Sequence, residues 1–372
     1  MDEKKKPLGL YIHIPFCKRK CAYCDFYSLP LGEEAMDEYC RVLIPRLRAA
    51  GERAEKHIVD TVFFGGGTPS LLAPRRLNAL LAAVADAFTL APDAEITLEA
   101  NPDRARDAAA LRALRRGGFN RISLGMQSAD EGELRVLGRL HSSGETAEAV
   151  SAARAAGFEN LSLDLMYGLP EQDMARWEGS LDAALSLAPE HLSCYALKLE
   201  PGTPLHAAQD TLRLPDGDAQ AELYLRACEK LSSVGYEHYE ISNFARPGFA
   251  SRHNLKYWTL GEYLGFGPGA HSDFGGRRFS APRDLRLYLA DERARGEDER
   301  ISPRERRRER IMLFLRTARG IPAEEAAGAE GFLRRCAENG LARERGGRWS
   351  LTDEGFFVSN AVILGVLEAL GL

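Results

Sequence analysis

Three cysteines fall within eight residues, Cys17-Lys-Arg-Lys-Cys21-Ala-Tyr-Cys24, a C-x3-C-x2-C run. Thiolates so spaced can fold a short loop around one iron–sulfur cube, because soft sulfur ligands suit such clusters. Three ligands leave one iron of a four-iron cube without a protein donor, and an open metal position is what substrate chelation requires. Two other chemistries use the same residue types: a zinc knuckle completed by His13 or a distant residue, and a redox dithiol. The other four cysteines, Cys40, Cys194, Cys228 and Cys336, are scattered, as small buried hydrophobes usually are. Seven cysteines are too few for a disulfide scaffold in 372 residues.

Two further groups sit where backbone and carboxylate chemistry could meet a ligand. Gly65-Gly66-Gly67-Thr68 follows an apolar run, and missing side chains let a backbone offer its N–H and C=O groups at close range. The competing reading is a tight strand-to-helix turn ending in Pro69. Glu99 ends another run and can accept hydrogen bonds from hydroxyl groups. Its competing role is a surface carboxylate capping the helix after Pro102.

The elements that must position these residues alternate. Strand-like runs are expected at 8–14, 61–64, 95–100, 121–126, 161–166 and 191–197. Helical stretches lie between them at 33–50, 74–88, 107–117, 144–156 and 173–187. Short apolar strands in series with helices predict a parallel α/β architecture. Polar or glycine residues follow almost every strand: Cys17, Gly65 to Thr68, Asn101, Gln127, Gly168 and Glu200. A (β/α) TIM-type barrel, whole or partial, gathers all strand ends at one site, whereas a doubly wound sheet gathers only those at its switch point.

The pattern divides the chain into a barrel at 1–240, a connecting region at 241–300 rich in Gly, Pro, Asn and aromatics, and a unit at 301–372. That last unit reads as a helix at 303–316, a short Ala/Glu-rich helix, a helix at 331–339, a ribbon of 342–344 and 348–351, and an apolar tail, the order of a winged helix. Its Arg run, Arg304 to Arg310, is interleaved with Glu305 and Glu309, which predicts a salt-bridged helix face rather than a nucleic-acid site. The net charge of -5 agrees, since it gives no global pull toward nucleic acid. The first six residues are charged and lead into a strand without a long apolar region, so a cytoplasmic protein is expected. The tail at 355–372 is interrupted by Ser359, Asn360 and Glu368 and predicts a packed or docking helix rather than a membrane span.

The C-x3-C-x2-C run after Tyr-Ile-His-Ile-Pro-Phe (Tyr11 to Phe16) resembles the radical S-adenosylmethionine (SAM) superfamily. The similarity extends through Phe-Phe-Gly-Gly-Gly-Thr-Pro-Ser, Glu-Ala-Asn-Pro, Ser-Leu-Gly-Met-Gln and Asp-Leu-Met-Tyr-Gly-Leu-Pro. More narrowly, the chain resembles oxygen-independent coproporphyrinogen III oxidase and its relatives. Two features depart from that oxidase. Phe26 stands where the oxidase has a fourth cysteine, and only ten residues precede Tyr11. Both departures, with His253-Asn254-Leu-Lys-Tyr257-Trp258, are similar to the related heme chaperone subfamily of HemW type.

The resemblance implies a radical SAM partial barrel and a protein that binds heme, a [4Fe-4S] cluster and SAM, and transfers heme to acceptor hemoproteins. It implies no coproporphyrinogen oxidase activity, no nucleic-acid partner, and membrane association only through the acceptor. The alternative it leaves is the oxidase itself, decarboxylating propionates to vinyl groups; a distant third is an iron–sulfur regulator using the winged helix. Residue by residue, it assigns Cys17, Cys21 and Cys24 to the cluster and Tyr11, Tyr23, Gly66, Gly67, Thr68 and Glu99 to SAM. Gln127, Arg139 and Asp164 match contacts to a second SAM, or else close the barrel mouth as a polar network. His253, Asn254, Tyr257 and Trp258 would hold heme, with an imidazole to ligate iron, flat rings for the macrocycle and Asn254 to orient the imidazole. The competing reading makes His253 a hydrogen-bonded structural residue, and His271 is its rival as ligand.

Overall fold

The computed structural model describes residues 5–372. Its first half alternates as β1 (Lys6–Ile14), α1 (Glu33–Arg53), β2 (His57–Gly66), α2 (Pro74–Ala87), β3 (Leu90–Ala100), α3 (Ala108–Gly117), β4 (Arg121–Gln127), α4 (Glu131–Val136), α5 (Ser143–Ala155), β5 (Asn160–Tyr167), α6 (Met174–Ser186) and β6 (His191–Ala196). Each of these strands pairs in parallel with the next. Every residue of β4 is buried, as in parallel strands covered on both faces, although its polar Arg121, Ser123 and Gln127 alternate with Ile122, Leu124 and Met126. Local signals start the helices: Asp107 and Asp173 cap α3 and α6, and Ser142 with Glu145 forms a capping box on α5. Such caps stabilise a helix by about 1 kcal/mol each. The expected strands and helices are all present, with β2 and β3 beginning earlier, at His57 and Leu90.

One long helix was not expected. After α7 (Pro204–Ala207) comes α8 (Gly217–Ser233), capped by Asp216 and burying Leu223, Tyr224, Ala227, Cys228 and Leu231. Beyond it, β7 (Glu237–Glu240) and β8 (Asn243–Ala245) fold back, and β8 pairs antiparallel with β6. Next come α9 (Arg252–Trp258), β9 (Tyr263–Phe266), β10 (His271–Phe274), β11 (Arg277–Ser280), α10 (Leu285–Ala290) and β12 (Asp298–Arg300). β9 lies parallel against β1, and β10 to β12 continue outward antiparallel. The stretch at 241–300 thus does more than connect, because it builds one flank of the sheet. Among the described residues the sheet has twelve strands with β12 and β7 at its two ends, a barrel left open between them.

The C-terminal unit contains α11 (Pro303–Phe314), β13 (Ile321–Pro322), α12 (Glu330–Glu338), β14 (Ala342–Arg345), β15 (Arg348–Leu351), α13 (Asp353–Phe357) and α14 (Ser359–Ala369). The ribbon gains a third strand, in the order β13-β15-β14. The apolar tail is two helices, and Phe356, Val362, Ile363, Val366 and Leu367 are buried. Among the described residues, no helix is long and apolar enough to cross a membrane. Two arginines of the Arg run make tertiary ion pairs. Arg306 grips Asp273 with two bonds, at 2.6 and 2.8 Å, and Arg310 pairs with Glu325 at 2.9 Å.

Candidate functional site

A cavity of about 580 Å³ opens at the C-terminal ends of β1 to β6. Cys17, Cys21 and Cys24 line it, together with Tyr23, Gly66, Gly67, Thr68, Glu99, Gln127, Arg139, Asp164 and Asn254. The cysteine loop is pinned by backbone. Ala22 N–H donates to the Leu137 carbonyl at 3.0 Å, Leu205 N–H donates to the Ala22 carbonyl at 2.9 Å, and Arg19 donates to the Gly138 carbonyl at 2.9 Å. All three thiols are free and partly exposed. His13, which a zinc knuckle would recruit, is turned away, with its ring nitrogens on Tyr11 Oη at 3.1 Å and the Tyr27 carbonyl at 2.8 Å. Three thiols on one cavity, with no fourth cysteine or histidine lining it among the described residues, fit a cube with one open iron.

The glycine turn after β2 is dictated by space. Gly66 has φ +109°, and a Cβ there would stand 2.5 Å from His13 Nδ1. A Cβ on Gly67 would stand 2.6 Å from the Phe16 carbonyl oxygen and 2.9 Å from that of Ile14. Gly67 N–H donates to the Ile14 carbonyl at 2.9 Å and Thr68 N–H to the Phe16 carbonyl at 2.7 Å. The turn is thereby sewn to the end of β1, and Thr68 Oγ1 lies 3.4 Å from Cys17 Sγ.

Glu99 is not the surface cap of the competing reading. It is enclosed at the strand end and accepts from Gly66 N–H at 3.1 Å. Burial, and then the charge of Asp164, push its carboxyl up to about 8, against the pull of that N–H. Near neutral pH it is mostly protonated, so it can donate to as well as accept from a hydroxyl. The folded chain holds this proton above the ordinary value of 4.5. The stability linked to Glu99 is therefore full below that value and is lost as pH rises through about 8. Glu240, pushed up to about 8 by burial, acts in the same direction. Glu99→Gln should flatten, without abolishing, the fall in melting temperature between about pH 5 and 9. A slope equal to that of the parent chain would contradict this assignment.

Deeper in the cavity the polar groups hold one another. Arg139 donates to Asn101 Oδ1 and the Gly125 carbonyl, both at 2.8 Å, and reaches Cys21 Sγ at 3.5 Å. Ser123 donates to Asp164 at 3.1 Å, and Tyr195 donates to Gln127 Oε1 at 2.7 Å. Gln127 has φ +65°, a conformation that a non-glycine residue holds only when its surroundings over-determine it. Sequence reasoning did not assign Arg121, Ser123, Ser193 and Tyr195, which also line this cavity. Asn101 was visible as the polar residue after β3. Arg121 and Ser123 sit within an apolar strand and gave no signal.

A second cavity, of about 600 Å³, lies on the β9 side of the same wall. Tyr11, expected against SAM, faces this cavity instead, beside Phe26, Tyr27, Tyr257, Tyr263, His271 and Arg283. Asp25 and Phe26 border both cavities. The HNxxYW segment forms α9 and splits among environments. His253 is 1% exposed, with Nδ1 on Thr61 Oγ1 and Nε2 on Tyr257 Oη, both at 2.8 Å. Neither nitrogen is free for iron, so the expected ligand role gives way to a structural one. Asn254 faces the first cavity rather than the His253 ring, Tyr257 faces the second, and Trp258 borders neither.

Comparison with known proteins agrees with this geometry. The Radical SAM superfamily model matches residues 11–184, and the HemN C-terminal domain model matches residues 301–358. The heme chaperone HemW of Mycobacterium tuberculosis (strain H37Rv) is 38% identical, covering 97% of this chain and 95% of its own. That of Escherichia coli K12 is 44% identical over 72% of this chain and 70% of its own. Among solved structures, coproporphyrinogen III oxidase (HemN) from Escherichia coli superposes with a TM-score of 0.83, covering 98% of this chain and 91% of that one at 23% identity. The fold is therefore the radical SAM partial barrel with a small C-terminal domain. The chain belongs to the radical SAM superfamily and, within it, to the heme chaperone HemW family.

Proposed function

We propose that this chain is a heme chaperone that binds heme, one [4Fe-4S] cluster and SAM, and passes heme to acceptor hemoproteins. The observation that carries this reading is its end-to-end similarity to proteins named heme chaperone HemW, over 97% of this chain and 95% of a relative. Cys17, Cys21 and Cys24 would hold the cluster. Gly66, Gly67, Thr68, Glu99 and Tyr23 would hold SAM, and Gln127, Arg139 and Asp164 form the polar floor beneath or a second cofactor subsite. When bound, the cluster supplies an open iron to chelate the cofactor and an electron to cleave it.

The chain's own residues do the positioning. Arg139 ties the cysteine loop to β4 and Asn101. The glycine turn presents backbone edges beside Cys17, and protonated Glu99 offers a donor that an ionised carboxylate lacks. Phe26, 67% exposed, puts a ring beside the cluster loop. Residues 1–240 would carry the cluster chemistry, 241–300 the flank facing heme, and 301–372 a docking unit for handover.

The test uses the full chain, reconstituted anaerobically. One sample receives hemin and then a heme-free acceptor hemoprotein; another receives coproporphyrinogen III, SAM and a reductant. Heme retained and then transferred, with no vinyl product, is the expected result. Vinyl product without heme binding would identify an oxidase instead.

A further inference from the structure

We infer that heme sits in the second cavity, with His271 as its iron ligand and Arg283 facing a propionate. This inference rests on the chaperone reading and names its heme site. The cavity's size, about 600 Å³, falls within the roughly 300–1,000 Å³ of small-molecule sites. Its walls are aromatic where a macrocycle needs flat apolar surface: Tyr11, Phe26, Tyr257 and Tyr263. Phe26 is the signal that something covers this wall, since its ring stands 67% exposed at the rim. An isolated phenyl ring in water loses nothing and gains burial when a planar ligand stacks on it.

Elimination among the eight histidines points to His271. Among the described residues, His13 and His271 are the histidines that border the second cavity, and both ring nitrogens of His13 are engaged, by Tyr11 Oη at 3.1 Å and the Tyr27 carbonyl at 2.8 Å. His206 borders neither cavity. His271 is exposed, opens β10 and faces the second cavity. No ring partner for it occurs among the described residues. Arg283 completes the set, because a guanidinium matches a carboxylate with two parallel bonds. Arg283 pairs with Asp25 at 3.1 Å, a partner that a propionate would displace or share. Glu297 also borders the cavity, and Arg283 is the cation on this lining that a propionate could meet.

The arrangement also gives the HNxxYW segment a part in heme binding without making His253 a ligand. His253 holds the Tyr257 hydroxyl, and Tyr257 forms the wall.

The experiment is a hemin titration of the full chain, followed by absorbance, with iron and sulfide content measured on each variant. His271→Ala should weaken binding at least about tenfold and change the heme absorption band, the scale expected when a metal site loses a required group. His206→Ala should match the parent chain. Adding imidazole to His271→Gly should restore the parent-like band, a rescue that a merely structural histidine would not permit. His271→Ala with parent-like affinity and spectrum would overturn the proposed seat, as would loss of the band in His253→Ala while His271→Ala keeps it. A parent chain that takes up no heme would overturn the chaperone reading, and the seat with it.

Discussion

Cys21→Ala protein, reconstituted with iron and sulfide, is expected to hold less than about a tenth of the parent chain's cluster iron. The reason is that the loop has no spare thiol. Its position is fixed by the Ala22, Leu205 and Arg19 bonds, so it cannot slide to offer another side chain. The remaining thiols, Cys40, Cys194, Cys228 and Cys336, are all buried in the core. Cys17→Ala and Cys24→Ala should behave alike, whereas Cys336→Ala should assemble the cluster normally. Parent-like iron in Cys21→Ala would remove the cluster from this loop.

The second large effect lies far from the cluster. Asp273 on β10 accepts two bonds from Arg306 on α11, and Arg278 approaches it at 3.2 Å. Arg278 in turn pairs with Glu309 at 2.6 Å. The Asp273 side chain is only 9% exposed, while both arginines are 28% exposed. Asp273→Ala leaves two partly buried guanidinium groups sharing Glu309, with only the more exposed Glu299 at 4.0 Å from Arg278 beside them. Breaking a buried pair by removing one partner costs about 3–5 kcal/mol, and the exposure of the arginines places this change near the lower end. Chemical denaturation should show the loss as a lowered midpoint with C-terminal probes affected first. A midpoint within error of the parent would mean that this pair does not fasten the C-terminal unit to the sheet.

The barrel was legible because its strands are buried and carry short apolar runs, such as Val62–Phe64, between capped helices. The cluster loop and glycine turn were legible because their chemistry is local in sequence. α8 left readable marks, an Asp216 cap and buried positions recurring at helical spacing, and was passed over. The pairing of β9 with β1 was not readable, since a four-residue strand between glycine-rich turns carries no information about a partner more than 250 residues away.

His253 shows a different limit. A motif names a neighbourhood, but successive helical residues point about 100° apart. α9 therefore sends His253 into the core, Asn254 to one cavity and Tyr257 to the other. His271 lay outside the motif and was readable only as a rival ligand; its place on the second cavity, beside a His13 whose ring nitrogens are both engaged, gives it weight.

On the chaperone reading, one chain carries both a cluster and a heme. The most direct test is an equilibrium titration of hemin into the anaerobically reconstituted full chain, with cluster iron and sulfide measured before and after. The account predicts saturation at one heme per chain, a defined heme band, and cluster content unchanged by loading. Absorbance rising in proportion to added hemin without saturation, with the cluster intact, would contradict it.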